Sequence, residues 1–390
     1  MHFDKITDRT NCRSLKWDAM ERAFGVPANE GLPMWIADKD FEAPDFLTNA
    51  MQELVTKGNY GYFSGHEKCL EAVQWWMQTR HDWKVEQNWM FTTYGLGHGI
   101  ATTLMALTDP GDGVVTFTPV YHEFENKITK AGRTNTQLPL VKDAAGLYRM
   151  DFDAYEALMT GKERLMLIST PHNPAGRVWE QAELDAMADF CQRHDLLLVA
   201  DEIHHDLVFP GQKHLTTAVA LPQILDRLVI TTAASKTFSI AGGRTGFVII
   251  PDDTLRARFA AYFNQFDVSA NLMGSTLTQA AYSPEGAAYV DELRAYLTGN
   301  YDVFKHALDK IDGVEMMPMQ STYLAWVDFA GTGMDREAFS YHVYGKARIA
   351  ATPGHTLGQG GESFLRFNLG TQRARVEEAA DRLTKAFADR

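Results

Sequence analysis

Short apolar runs, partly β-branched, recur through the middle of the chain at 114–117, 165–168, 196–200, 228–232 and 246–250. Each is bounded by Gly, Pro or Asp, and none shows the strict alternation of a strand with one wet face. They therefore predict strands buried on both faces of a largely parallel sheet. Helical spacing intervenes. Leu184, Met187, Ala188 and Cys191 share one face, and Phe46, Leu47, Ala50, Met51, Leu54 and Val55 form a stripe that Gly58 ends. Both stripes predict core-facing helices. After about Ser283 the pattern changes, with a helical stretch over 285–310 followed by STYLAWVDF and FLRFNLG, which alternate like strands. That order predicts a large α/β domain over 46–283 and a smaller α+β domain from 1–45 and 284–390.

The chain has 390 residues, 45% hydrophobic and 22% charged, enough for a substantial core and unlike disordered, collagenous or coiled-coil chains. Its net charge of −13 disfavours binding to nucleic acid or to an anionic membrane surface. The cysteines, Cys12, Cys69 and Cys191, include no close pair, so neither a disulfide framework nor a cysteine zinc ribbon is expected. No secretory h-region and no membrane-length apolar run occurs, which predicts a soluble, cytoplasmic protein.

No P-loop, HExxH or GxSxG motif is present. Gly95-Leu96-Gly97-His98-Gly99-Ile100 approaches the dinucleotide fingerprint, but Ile100 takes the place of the last glycine. Following a strand-like WMFTT and opening a helical pattern, the segment could still offer backbone N–H groups to a phosphate. Asp201 closes the apolar run LLLVAD, and a carboxylate there must be paired or functional. Lys236 follows the next run, where open α/β sheets bind ligands and burial can make a lysine nucleophilic. Taken singly, these features also fit a tight turn, a helix N-cap and a surface lysine. Together they match the contacts of pyridoxal phosphate: a Schiff-base lysine, an acid for the ring nitrogen and a phosphate cradle. Tyr121 could cover the ring, and Asn173 could face its hydroxyl.

PMWIADKDFEAP (33–44), YGYF (60–63), PVY (119–121), PHNPAGRVW (171–179), ADEIHHDLVF (200–209), ASKTFSIAG (234–242) and FLRFNLGTQR (364–373) occur in that order. In them the sequence resembles fold-type I pyridoxal-phosphate enzymes of the class I/II aminotransferase group, within it the MalY/PatB-like cystathionine β-lyase branch. The resemblance spans nearly the whole chain and implies a large domain with a mostly parallel seven-stranded sheet flanked by helices. It makes Lys236 the Schiff-base lysine and Asp201 the pyridinium partner. Asn173 and His204 would face the ring hydroxyl and Tyr121 would stack on the ring. Gly95, Leu96, Gly97 and Ser235 would lie at the phosphate. Tyr60 would reach the phosphate of a neighbouring subunit, so a homodimer is implied. Arg366 would bind the substrate α-carboxylate, helped by Asn173 and the backbone of Ala37. The alternation of Leu365, Phe367 and Leu369 agrees, leaving Arg366 on the other strand face.

Two departures from the branch stand out. Lys39 replaces the common Met and is expected to alter the substrate entrance; Arg244, eight residues after Lys236, resembles the phosphate arginine of aminotransferases. The reaction implied is β-elimination from L-cystathionine or a related cysteine S-conjugate, with amino transfer to a 2-oxo acid as the alternative. A purely regulatory, partner-binding role is a third reading, disfavoured by the intact set Lys236, Asp201, Asn173 and Arg366. Tyr60, Tyr62 and Phe63 are expected to line a pocket for apolar or thioether groups. No metal is expected, since the adjacent His204 and His205 should point opposite ways.

Overall fold

The computed structural model describes residues 3–388. In chain order its strands are β1 (Leu32–Met34), β2 (Met90–Thr93), β3 (Gly113–Thr118), β4 (Thr134–Pro139), β5 (Val141–Lys142), β6 (Tyr148–Arg149) and β7 (Glu163–Ser169). They continue as β8 (Leu197–Asp201), β9 (Leu228–Thr232), β10 (Gly246–Ile249), β11 (Glu315–Met316), β12 (Leu324–Asp328), β13 (Ile349–Pro353) and β14 (Phe364–Asn368). The five apolar runs are β3, β7, β8, β9 and β10. With β2 and β4 they form a seven-stranded sheet in the order β2-β10-β9-β8-β7-β3-β4. Pairing is parallel except at β10, which runs antiparallel to both neighbours.

The near-continuous apolar character of these strands follows from cover on both faces. Val114, Leu165, Leu167, Val199, Val229 and Val248 pack with Ile100, Leu104 and Leu107 of the helix Leu96–Leu107. The alternate residues, among them Val115, Met166, Ile168, Leu198 and Ile230, join Leu184, Met187, Ala188 and Cys191 of the helix Gln181–Arg193. The edge strand β4, TNTQLP, is mostly half-exposed, and its polar sequence hides it from a search for apolar runs. The stripe ended by Gly58 is the helix Asp45–Lys57, with Gly58 left-handed at φ 63°.

A second sheet has the order β1-β13-β14-β12-β11, so residues near both chain ends build it. The helices Pro284–Leu308 and Arg373–Ala388 pack on each other and bury Leu297, Phe304, Val376 and Leu383 in the same core cluster as this sheet. The segment after β1 is pinned by a buried ion pair, Lys16 Nζ to Asp40 Oδ2 at 2.8 Å, and Trp17 Nε1 donates to the other Asp40 oxygen. No helix among the described residues is long and apolar enough to cross a membrane.

Candidate active site

Strand direction gathers the candidate residues. Tyr121 follows β3, Asn173 follows β7, Asp201 ends β8 and Lys236 follows β9, so all four lie at the carboxyl edge of the parallel strands. Gly95 follows β2, which runs the same way. Because β10 is reversed, its beginning meets this edge too, and it delivers Arg244. Gly95 takes φ +81° ahead of the helix Leu96–Leu107, a conformation suited to glycine. A Cβ on Gly246 would come within 2.8 Å of Leu96 Cδ2, so a glycine there lets β10 approach the turn.

A cleft of about 750 Å³ joins these groups, a size suited to a small-molecule site. Ala37, Gly95, Leu96, Gly97, Tyr121, Asn173, Asp201, His204, Ser235, Lys236, Arg244 and Arg366 all line it. Lys236 Nζ donates to the carbonyl of Ala37 at 2.8 Å. Arg366, 3% exposed on β14, donates from Nη1 to Asn173 Oδ1 at 2.9 Å and from Nη2 to Trp35 O and Thr352 Oγ1 at 3.0 and 3.1 Å. The second sheet thus brings the guanidinium to the edge of the first.

Burial sets the electrostatics. It raises the Asp201 carboxyl to about 7, against the N–H of Ile203 and the charge of Lys236. It lowers the Lys236 pKa, with Arg366 adding to the shift and Asp38 and Asp201 opposing it. Burial, then the charges of Lys236 and Arg366, hold His204 neutral well below its usual range. Burial brings Arg366 down to about 10, still protonated at neutral pH, and raises Tyr121 to about 12.

Some expectations need correcting. Lys39 does not line the cleft. It is buried, donating from Nζ to the carbonyls of Lys236 and Thr237 at 2.7 and 2.9 Å, so it braces the backbone that carries the active lysine. Tyr60 and Tyr62 stand on the surface of this chain, and neither they nor Phe63 line its own cleft, so the pocket expected from the three is not built within one chain; Tyr60 is expected at the neighbouring subunit's phosphate instead. The reason is topological: these residues lie in the loop between the helices Asp45–Lys57 and His66–His81, outside the strand edge. Residues not anticipated include Trp35 and Thr352, which share the Arg366 fork, and Tyr323, which donates to the Ala37 carbonyl at 3.1 Å. Thr352 and Tyr323 come from apolar strand segments with no local signature; the only hint was their placement at the ends of such runs.

Residues 39–383 match the family described as aminotransferase class I and II. The chain belongs to this family. It is 35% identical over 391 residues to cystathionine beta-lyase PatB of Bacillus subtilis (strain 168), with all of both chains covered. Protein MalY of Escherichia coli (strain K12) is 30% identical, with 99% of this chain and 98% of MalY aligned. The crystal structure of cystalysin from Treponema denticola, which contains a pyridoxal 5'-phosphate cofactor, superposes with a TM-score of 0.94 at 31% identity, covering 99% and 98% of the two chains. The fold is accordingly that of fold-type I members of the class I and II aminotransferase family.

The cleft of this family member fits the same cofactor. It has a buried acid and a half-buried lysine on one lining, and a helix N-terminus preceded by a positive-φ glycine where a phosphate would be received. His204 Nδ1 and Arg366 Nε are buried without a hydrogen-bond partner in the protein. Leaving such atoms unpaired is costly, and a ligand carrying oxygens would satisfy them.

Proposed function

We propose that the chain is a pyridoxal-phosphate-dependent carbon–sulfur β-lyase, working as a cytoplasmic homodimer. It cleaves L-cystathionine or a related cysteine S-conjugate to pyruvate, ammonia and a thiol. The observation that supports this most is full-length similarity to a cystathionine β-lyase, together with a cleft where Lys236, Asp201 and the Arg366–Asn173 pair converge.

When bound, the cofactor supplies an electron sink for the pair left on the substrate Cα. Lys236 would hold it, and the Lys236 amine would take the Cα proton, its lowered pKa keeping the neutral amine accessible. The Cβ–S bond then breaks, and the proton on Lys236 Nζ is available to the departing thiolate. Asp201 supplies the counter-charge to the ring nitrogen, Asn173 and His204 face the ring hydroxyl, and Tyr121 covers the ring. Gly95, Leu96, Gly97, Ser235 and Arg244 receive the phosphate, and Tyr60 of each subunit serves the phosphate of the other. Arg366 grips the substrate α-carboxylate as a fork, with Asn173 and the Ala37 backbone beside it.

The test is purified holoenzyme with L-cystathionine and no 2-oxo acid, following pyruvate and free thiol. Sustained release of both is the expected result. A reaction that stops after one equivalent per site and resumes only on adding a 2-oxo acid would replace the lyase reading with amino transfer.

A further inference from the structure

Behind the cofactor cleft lies a second cluster of titratable groups. His204 and His205 face different ways: His204 lines the cleft, whereas His205 joins Glu202, Asp206, His81 and His214. All five are buried. One part of the cluster is fully bonded. Asp206 Oδ1 accepts from Trp76 Nε1 at 2.9 Å and bonds His81 Nε2 at 2.8 Å, and its Oδ2 accepts from Thr237 at 2.7 Å.

The other part is not. Glu202 Oε2, His205 Nδ1 and His214 Nε2 are each buried without a well-aligned hydrogen bond, the carboxylate oxygen facing the two imidazoles at ion-pair distance. Glu202 Oε2 is 3.3 Å from His214 Nε2 and 3.9 Å from His205 Nδ1, and one ligand atom from each of the three residues lies within 4.8 Å of those of the other two. Zinc bonds of about 2.1 Å at tetrahedral angles would place donor atoms roughly 3.4 Å apart. Closing these gaps needs side-chain movement of an ångström or so.

The surroundings orient Glu202 and His205 as outer partners of a metal site do. Glu202 Oε1 is held by the N–H of Thr217 at 2.7 Å, which turns Oε2 toward the two imidazoles. His205 Nε2 sits 3.3 Å from Thr232 Oγ1 and 3.6 Å from Asp206 Oδ2, which directs Nδ1 at Glu202. A cavity of about 100 Å³, walled by His81, His205, Asp206 and His214, provides an approach and room for water. Its basic residues are already engaged: Arg80 with Asp291, Lys213 with Asp82, and Arg294 with the Val208 carbonyl.

We propose that Glu202 Oε2, His205 Nδ1 and His214 Nε2 bind one divalent cation of the zinc class, with water from the cavity completing its coordination. Two imidazoles and a carboxylate form a borderline donor set that suits zinc or cobalt over magnesium or calcium. The ion would tie the segment after Asp201 to the loop at 214, away from the reacting atoms.

The test is a titration of tag-free, chelator-dialysed holoenzyme with Co²⁺, followed by its visible ligand-field bands and by elemental analysis. The expected result is one ion per chain. His205→Gln and Glu202→Gln should each weaken binding by about 100-fold or more, beyond what loss of an outer-shell partner typically costs. His355→Gln, on the surface, should bind as the parent does. Retained cofactor absorbance and circular dichroism certify each variant as folded, and His214→Gln on the cavity wall replaces any that is not. No uptake by the parent, or equal uptake by the parent and the folded variants, would overturn the proposal.

Discussion

Asp201→Asn should stabilise the cofactor-free protein at about pH 8 and leave it nearly unchanged at about pH 4. The carboxyl is raised by burial from 3.8 to about 7, about three pH units at roughly 1.4 kcal/mol each. Between those values the native state holds a proton that the unfolded chain has released. Native stability therefore falls as pH rises through the window, by about 4 kcal/mol in all. Asn does not titrate and can still accept the 3.2 Å bond from Ile203 N–H. Urea denaturation of both cofactor-free proteins across this range should show the variant gaining on the parent by roughly 1.4 kcal/mol per pH unit, then levelling above about pH 7. With cofactor bound the sign reverses, because the ionised carboxylate becomes the useful partner, so the variant should bind cofactor more weakly and turn over more slowly. A stability difference independent of pH, or a variant weaker than the parent at about pH 8, would refute burial as the cause of the shift.

Arg366→Lys keeps the charge but loses the planar fork, so kcat/KM for the amino acid should fall roughly 10–100-fold, mostly through KM, in steady-state assays. Lys39→Met leaves the carbonyls of Lys236 and Thr237 unpaired and should cost about 1–3 kcal/mol in urea denaturation at about pH 8. The loss should grow as pH rises from about 7 toward the ordinary lysine value of 10.5, because across that window the unfolded chain holds a proton that the buried amine lacks, and it should be level below about 7. If Tyr60 serves the neighbouring subunit, mixing inactive Lys236→Ala chains with impaired Tyr60→Phe chains should restore activity in hybrid dimers. Mixed activity that only averages the two parents would refute the shared site.

Asp201 and Lys236 were legible because each closes an apolar run with a group that cannot be buried idly. The runs themselves were legible because strands covered on both faces leave no polar alternation. Direction was not: β10 has the same apolar character as its parallel neighbours, and its reversal, which brings Arg244 to the ligand edge, depends on pairing between β2 and β9. Lys39 misled because a lysine beside a substrate motif suggests solvent. Its two carbonyl partners lie nearly 200 residues away in the chain. Glu202, His205 and His214 form no motif in the sequence, where the adjacent His204 and His205 are the more visible pair. The donors that converge instead are spaced by three and nine residues on a turn whose path no periodicity reveals.

The two sheets divide the work. The groups proposed for the cofactor, from Gly95 through Asp201 to Lys236 and Arg244, come from the edge of the seven-stranded sheet. The guanidinium proposed for the substrate comes from β14 of the other, and Trp35 and Thr352, which hold it, follow β1 and lie in β13. Asn173 is the direct side-chain bond from that guanidinium to the first sheet, at 2.9 Å. Changes within the second sheet should therefore appear first in amino-acid affinity with cofactor retention intact, whereas a change at Asn173 should disturb both. That difference separates loss of a substrate contact from loss of the cofactor site, since the two would otherwise look alike in an activity assay.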